Sequence, residues 1–308
     1  MTTTGPQRIV VAINPTASFG ARRTVGPAVT SALRSAGHDV VELVEPTGAA
    51  LAAAARITLA NGADALVVVG GDGMVSLGTN LVAGTGIPLG IVPSGTGNDV
   101  ARGLGLPIGD TTAAITALLD ALKHPPRIID AVQVSRGDEA PVWFAGVLSA
   151  GFDAIVNERA NSLRFPRGKH RYTLSILVEL IRLRPINYRL VLDGDEIDTA
   201  ALLVSVGNNV SIGGGMRVTP DALLDDGLLD VMVVRPLSRL RFLRIFPRVF
   251  AGTHTTDPRV SIRRATRVRI EADAVVAYAD GERIGALPVD IVLQPGALAV
   301  LAAARHPL

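Results

Sequence analysis

The sequence contains no cysteine, which excludes disulfides and thiolate metal sites and fits a reducing compartment. Aromatic residues are only 4% of the chain and do not alternate with the arginines. Together with a formal net charge of only +2, this argues against nucleic acid as a partner. Long hydrophobic runs are also missing. The most apolar window, residues 65–92, is broken by Asp72, by several glycines and by Pro88, so it cannot be a spanning helix. The opening stretch MTTTGPQRIVVAINP lacks the apolar centre of a secretory signal and passes directly into a strand pattern. The expectation is a cytoplasmic protein, soluble or peripheral to a membrane. What is plentiful is apolar side chain: 48% of 308 residues, against 19% charged. That is enough for two ordinary domains with separate cores.

The stretch Asp64–Arg102 organises the rest. Leu66-Val67-Val68-Val69 is a short β-branched run, suited to a parallel strand buried on both faces. Gly70-Gly71-Asp72-Gly73 turns it into a helix, and backbone amides on such a turn can approach an anion closely. Ile87–Val92 then forms a second strand that ends in Pro93-Ser94-Gly95-Thr96-Gly97-Asn98-Asp99, a second glycine loop with hydroxyl, amide and carboxylate groups. Two polar glycine loops at the carboxyl ends of neighbouring strands describe a nucleotide site.

Around this stretch, strand and helix alternate from residue 8 to 125. Strands are expected at Arg8–Ile13 and Asp39–Val44. Helices are expected from the Asn14–Ser18 loop to Gly37, from a Thr47 cap to Gly62, and from Asp110-Thr111-Thr112 to Lys123, before Pro125-Pro126. The alternation implies a doubly wound, mostly parallel α/β domain. After Arg127 short strands come at hairpin spacing: Ala131–Ser135, Val142–Leu148, Tyr188–Leu192, Ala200–Val206, Leu228–Val234, Arg259–Arg263, Arg267–Glu271, Val275–Ala279 and Val289–Val292. They point to a C-terminal antiparallel β-sandwich. Ala297–Leu301 is a last strand that can pair with either domain. The division expected is 1–128, completed by about 293–308, and 129–292. Two segments mix arginine with apolar residues: Arg164–Tyr172, ahead of a helix over Thr173–Arg184, and SRLRFLRIFPRVF at Ser238–Phe250. Such a mixture suits a lipid headgroup boundary, and equally a helix packed on a sheet with its arginines in water. The five histidines are scattered and are not expected to be ligands, and Trp143 reads as core.

By spacing alone the GGDG turn is neither a P-loop nor a dinucleotide fingerprint. In order along the chain, however, NPTAS, VVVGGDG, PSGTGNDVARGLGLP, GGGMRVTPDALLDDGLLDV and DGERIG resemble the diacylglycerol kinase catalytic-domain family of bacterial lipid kinases. The resemblance implies ATP in a cleft between the α/β domain and the sandwich, and a last segment that returns to complete the first domain. It implies nucleotide contacts at Asn14, Pro15, Thr16, Ala17, Ser18, Thr47, Gly70, Gly71, Asp72, Gly73, Gly95, Thr96 and Asn98. It further implies Glu282 as the base that takes the proton of the lipid hydroxyl, and Asp72 and Asp99 as acids that orient a catalytic Mg2+. Asp226, with the backbone carbonyls of Leu223 and Leu228, would hold a structural Mg2+. The implied partner is a lipid substrate at the inner membrane face, and a homodimer is compatible with it.

Those residue types suit phosphoryl transfer, which needs alignment and charge cancellation more than covalent chemistry, together with hard oxygen ligands for magnesium. The chain departs from the family pattern after GGDG, with Met74, Ser76 and Leu77 where Thr and an Asn-Glu pair are usual. Two alternatives stand beside the lipid kinase: a kinase of a soluble acceptor such as NAD, and a non-catalytic lipid-binding regulator.

Overall fold

The computed structural model describes residues 5–14, 24–151 and 184–303. Pro15, Thr16, Ala17 and Ser18 of the expected first nucleotide loop, and the basic run Arg164–Tyr172 with the helix behind it, lie outside the described residues. The chain forms two compact units, Met1–Ala131 with Pro295–Leu308, and Val132–Gln294.

In the first unit, strands β1 (Arg8–Ile13), β2 (Asp39–Val44), β3 (Ala65–Gly70) and β4 (Leu89–Pro93) pair in the parallel order β2-β1-β3-β4. Helices α1 (Val25–Ser35), α2 (Gly48–Ala60), α3 (Asp72–Val82), α4 (Asp99–Gly103) and α5 (Thr111–Ala121) form the connections. Every residue of β3 and β4 is buried, as expected of strands covered on both sides. Successive residues of β3 show the double winding. A Cβ added at Gly90 would meet Val67 and Leu118 of α5, while one added at Gly78 of α3 would meet Val68 and Leu89. Local chemistry sets the helix ends: Thr47 Oγ1 accepts the N–H of Ala50, Asp110 Oδ1 accepts that of Ala113, and Gly37 and Gly62 follow their helices at positive φ.

The second unit packs two antiparallel sheets around one core. Strands β5 (Arg127–Ser135) and β16 (Val289–Val300) each run from one unit into the other. In one sheet β16, β13 (Arg267–Glu271), β8 (Ile186–Leu192) and β9 (Asp195–Ala201) are neighbours, with β5 and β6 (Val142–Phe144) alongside. The other sheet has the order β12 (Val260–Ala265), β11 (Leu229–Val234), β10 (Leu203–Gly207), β7 (Val147–Gly151), β14 (Val276–Ala279) and β15 (Glu282–Ala286). Alternate residues such as Tyr188, Leu190 and Leu192 of β8 face Val204 and Val206 of β10 and Val231 of β11. On the outer face of the second sheet, helix α6 (Arg239–Ile245) buries Phe242 against Val147, Met216, Met232 and Val260.

Three expectations about strands are corrected. Val142–Leu148 is not one strand: the chain turns at Ala145-Gly146, and β6 and β7 belong to different sheets. Ala200–Val206 is likewise divided at Leu202, whose N–H donates to Val234 O at 2.8 Å, so the Asp193 hairpin pairs β8 with β9 and not with β10. Both stretches are apolar on either side of the break, so hydrophobic pattern alone carries no sign of it. Finally, Val289–Val292 and Ala297–Leu301 are parts of one run. The start of β16 pairs antiparallel with β13, and Val300 at its end pairs parallel with Leu89 of β4. Among the described residues, no helix is long and apolar enough to cross a membrane.

Candidate active site

The two glycine loops meet. Gly71, the N-cap of α3, and Gly95 lie so close that a Cβ added at Gly95 would stand 2.3 Å from the Gly71 Cα. Neither position tolerates a side chain without separating the loops. Ser94 N–H donates to Gly70 O at 2.8 Å, continuing the pairing of β3 with β4 into the turn. Asn98 takes the left-handed conformation (φ 56°), which asparagine tolerates better than most residues, and its side chain is tied to its own loop. Oδ1 accepts the Gly95 N–H at 3.0 Å and Nδ2 donates to Gly95 O at 3.1 Å.

Asp72, the first residue of α3, clasps the second loop. Its Oδ2 accepts the N–H of Asn98 at 2.8 Å and its Oδ1 that of Asp99 at 2.7 Å. Gly97 is required here, since an added Cβ would lie 2.3 Å from Asp72 Oδ2 and 3.3 Å from Asp99 Oδ2. Both carboxylates thus border one small space. Burial, and then the charge of Asp99, push the Asp72 carboxyl above its ordinary value, against the pull of the backbone N–H groups of Asp99, Asn98 and Asp72 itself. A pair of acids held together against mutual repulsion is a donor set that a hard divalent cation would relieve, so this part of the site fits magnesium.

Arg102 and Ser94 also belong to this place, although sequence reasoning assigned neither a contact role. Arg102 Nη2 donates to Gly97 O at 3.0 Å, and its Nε lies 3.9 Å from Asp99 Oδ1. The Asp99/Arg102 spacing on a short helix was the available signal. The Ser94 hydroxyl is buried without a partner among the described residues. The sequence put it in the polar glycine loop, but only tertiary packing shows that its hydroxyl is buried.

The other expected residues divide by location. Asn14 follows β1, its N–H donating to Val69 O at 3.1 Å. Gly73 is exposed in the first turn of α3, Thr96 is exposed in the second loop, and the Thr47 hydroxyl caps α2. Met74, one of the departures from the family pattern, is a packing residue: it is buried, and a Cβ at Gly70 would fall 2.3 Å from its Cγ.

Glu282 lies in the second unit. It opens β15 after the turn Asp280-Gly281, is exposed, and makes no hydrogen bond or ion pair among the described residues. Asp280 is buried, and its carboxylate accepts the N–H groups of Ala145, Gly146 and Val147 at 3.0, 3.1 and 3.0 Å. Its own N–H donates to Val147 O. The turn that carries Glu282 is therefore fastened to the β6–β7 corner.

Asp226 is engaged by its neighbours in this structure. Arg264 Nη2 donates to its Oδ2 at 2.6 Å, Leu228 N–H donates to its Oδ1 at 3.2 Å, and Arg264 Nε lies 3.4 Å from Asp230 Oδ1. Burial raises Asp230, with the neighbouring guanidinium acting the other way. Arg264 thus supplies positive charge at Asp226, and a magnesium held there with the carbonyls of Leu223 and Leu228 would share the carboxylate with it.

A glycine-lined backbone, two adjacent carboxylates and a buried hydroxyl at the carboxyl ends of parallel strands are features suited to holding phosphate. Comparison with known proteins places the chain in a family. Residues 8–134 match the model of the diacylglycerol kinase catalytic domain, and residues 146–302 that of the YegS C-terminal NAD kinase beta sandwich-like domain. A Mycobacterium tuberculosis protein named diacylglycerol kinase is 40% identical over 96% of this chain and 94% of its own length. One so named from Bacillus subtilis is 28% identical over 74% of each. A crystal structure of a putative diacylglycerol kinase from Bacillus anthracis shares the fold, with a TM-score of 0.77, 24% identity and 98% of each chain covered. The chain belongs to the family of diacylglycerol kinases and YegS-like lipid kinases.

Proposed function

We propose that this protein transfers the γ-phosphoryl group of ATP, with Mg2+, to the free hydroxyl of diacylglycerol or a related lipid at the inner membrane face. The observation that carries the reading is the closure of the two glycine loops through Asp72, in a chain matched along nearly its whole length by a protein named diacylglycerol kinase. The backbone of residues 70–73 and 95–98 would hold the phosphates, and the Ser94 hydroxyl would gain a partner there. Asp72 and Asp99 would hold the magnesium, which supplies charge cancellation between the phosphates when bound. Arg102, beside Asp99 and bonded to Gly97 O, keeps the second loop in shape. Glu282, exposed and unengaged among the described residues, would accept the proton of the attacking lipid hydroxyl.

One observation favours a second reading: the second domain is described as NAD kinase beta sandwich-like, so a soluble acceptor such as NAD stays in the test. Purified protein with magnesium, labelled ATP, a panel of dispersed lipids and NAD decides between them. Transfer to diacylglycerol is expected, and Glu282→Gln should lower kcat by about 10²–10⁴. Transfer to NAD alone, or Glu282→Gln matching the parent on lipid, removes the proposal.

A further inference from the structure

Helix α6 and the 3-10 turn behind it, Phe246–Val249, have two faces that do different things. Inward, Phe242 and Ile245 are buried, and Phe246 stacks on Phe242 with ring centroids 5.7 Å apart. Two arginines are also turned to the protein. Arg241 grips Asp257 at 2.9–3.1 Å, and Arg248 donates to Thr253 O and the Thr256 hydroxyl. These contacts account for a helix packed on a sheet. They leave the opposite face unexplained.

That face presents Leu240, Leu243 and Phe250, which are 75%, 50% and 54% exposed. They are three of the seven exposed large hydrophobic residues among those described, and they fall within eleven positions of one another. Leu240 and Leu243, three apart, share one side of α6, and Phe250, beyond the 3-10 turn, sets its ring edge-on to Phe246 with centroids 6.4 Å apart while staying half exposed. Scattered exposed leucines need no explanation; a ridge of them does. Arg235, Arg239 and Arg244 are exposed on the same segment, and no acid occurs between Asp230 and Asp257. The segment is therefore apolar at its crest and carries only basic charge along its own length. The complementary partner is apolar inside and anionic at its boundary.

We propose that this ridge docks the protein onto the surface of an anionic phospholipid bilayer, Leu240, Leu243 and Phe250 entering the acyl boundary while the exposed arginines contact headgroup phosphates. Arginine suits that boundary because its aliphatic stem lies along apolar surface while its guanidinium reaches polar oxygen. The inward anchors matter equally: with Arg241 held by Asp257 and Phe242 in the core, the ridge is rigid before it meets lipid. Docking gives the proposed lipid kinase access to its substrate, but the surface is read from exposure and charge and does not depend on turnover.

The test is co-sedimentation of the full chain with phosphatidylcholine vesicles, with and without phosphatidylglycerol. The parent should pellet with the anionic vesicles and be released as salt rises. The combined substitution Leu240→Ser, Leu243→Ser and Phe250→Ser should reduce the bound fraction about tenfold or more, and Arg235→Glu with Arg244→Glu should do the same at low salt. Unchanged thermal unfolding and unchanged activity on a short-chain, monomeric diacylglycerol should accompany both. The proposal is overturned if the parent stays in the supernatant, if it binds neutral vesicles equally, if the triple variant binds as the parent does, or if the parent is a dimer that the triple variant dissociates. Vesicle binding without lipid phosphorylation would remove the kinase reading alone; phosphorylation that survives with no vesicle binding would remove this one alone.

Discussion

Replacing Asp280 should unfasten the turn that carries Glu282, and the size of the effect can be worked from its surroundings. Its carboxylate accepts three N–H groups, from Ala145, Gly146 and Val147, all buried. A hydrogen bond to a charged group contributes about 1.5–3 kcal/mol, and an abandoned buried donor costs about 1–3 kcal/mol, so three such bonds set a ceiling near 5–9 kcal/mol. The bonds share one carboxylate and water can reach a loosened corner, so the sum is not additive and roughly 3–5 kcal/mol is expected for Asp280→Ala. Part of this is backbone: Asp280 has φ 49°, where alanine costs about 1–2 kcal/mol. Asp280→Gly removes that part, so it should be less damaging than alanine by about 1 kcal/mol, less its own entropy cost. Asp280→Asn tolerates the backbone and keeps one acceptor oxygen, so it should fall between parent and alanine. Urea unfolding followed by fluorescence suits the measurement, because the single tryptophan, Trp143, lies on β6 beside the fastened corner and reports on the second unit. An Asp280→Ala loss of unfolding free energy of less than about 1 kcal/mol would refute the argument that these bonds hold the corner.

Three further outcomes are expected. Gly95→Ala must push the loops apart, since its Cβ would meet the Gly71 Cα at 2.3 Å; calorimetry should show ATP binding weakened by about 1–3 kcal/mol with the second unit's unfolding unchanged. His254 is buried, its Nε2 within hydrogen-bond distance of Val218 O, and burial, with Arg248 nearby, pushes its imidazole below the ordinary 6.5. Below that pH the unfolded chain takes up a proton that the native chain refuses, so stability should fall on acidification through 6.5, by up to about 1.4 kcal/mol per pH unit, and His254→Gln should flatten the curve. Arg264→Met leaves the buried Asp230 and its neighbour Asp226 without their counter-charge; because the guanidinium is partly in water the loss should be about 1–3 kcal/mol by denaturation. If added magnesium stabilises the parent as strongly as the variant, Arg264 is not the cation of this site.

Local pattern was enough for whatever depends on a residue's own neighbours in the chain. β1, β2 and β13 have the bounds that apolar alternation and flanking turns predict, and the Thr47 and Asp110 caps and the Gly37 and Gly62 helix ends follow from their own side chains and backbone. The glycine loops were legible because only glycine permits the close approach they make, and the family resemblance rests on them. What the chain alone could not decide was partnership across long separations. Nothing in Ala200–Val206 shows that the strand changes sheets at Leu202, since both halves are equally apolar and the choice is made by a hydrogen bond to Val234. Nothing in GGDG shows that Asp72 caps the loop 26 residues further on, and nothing in Asp225-Asp226-Gly227 shows that Arg264, 38 residues away, will pair with Asp226. Likewise, SRLRFLRIFPRVF offered a packed helix and a lipid-facing one as rivals; folding put Phe242 and Ile245 in the core and left Leu240, Leu243 and Phe250 outside. Composition chooses which residues are available for burial and for charge, but only the packing of distant segments determines which of them find a partner.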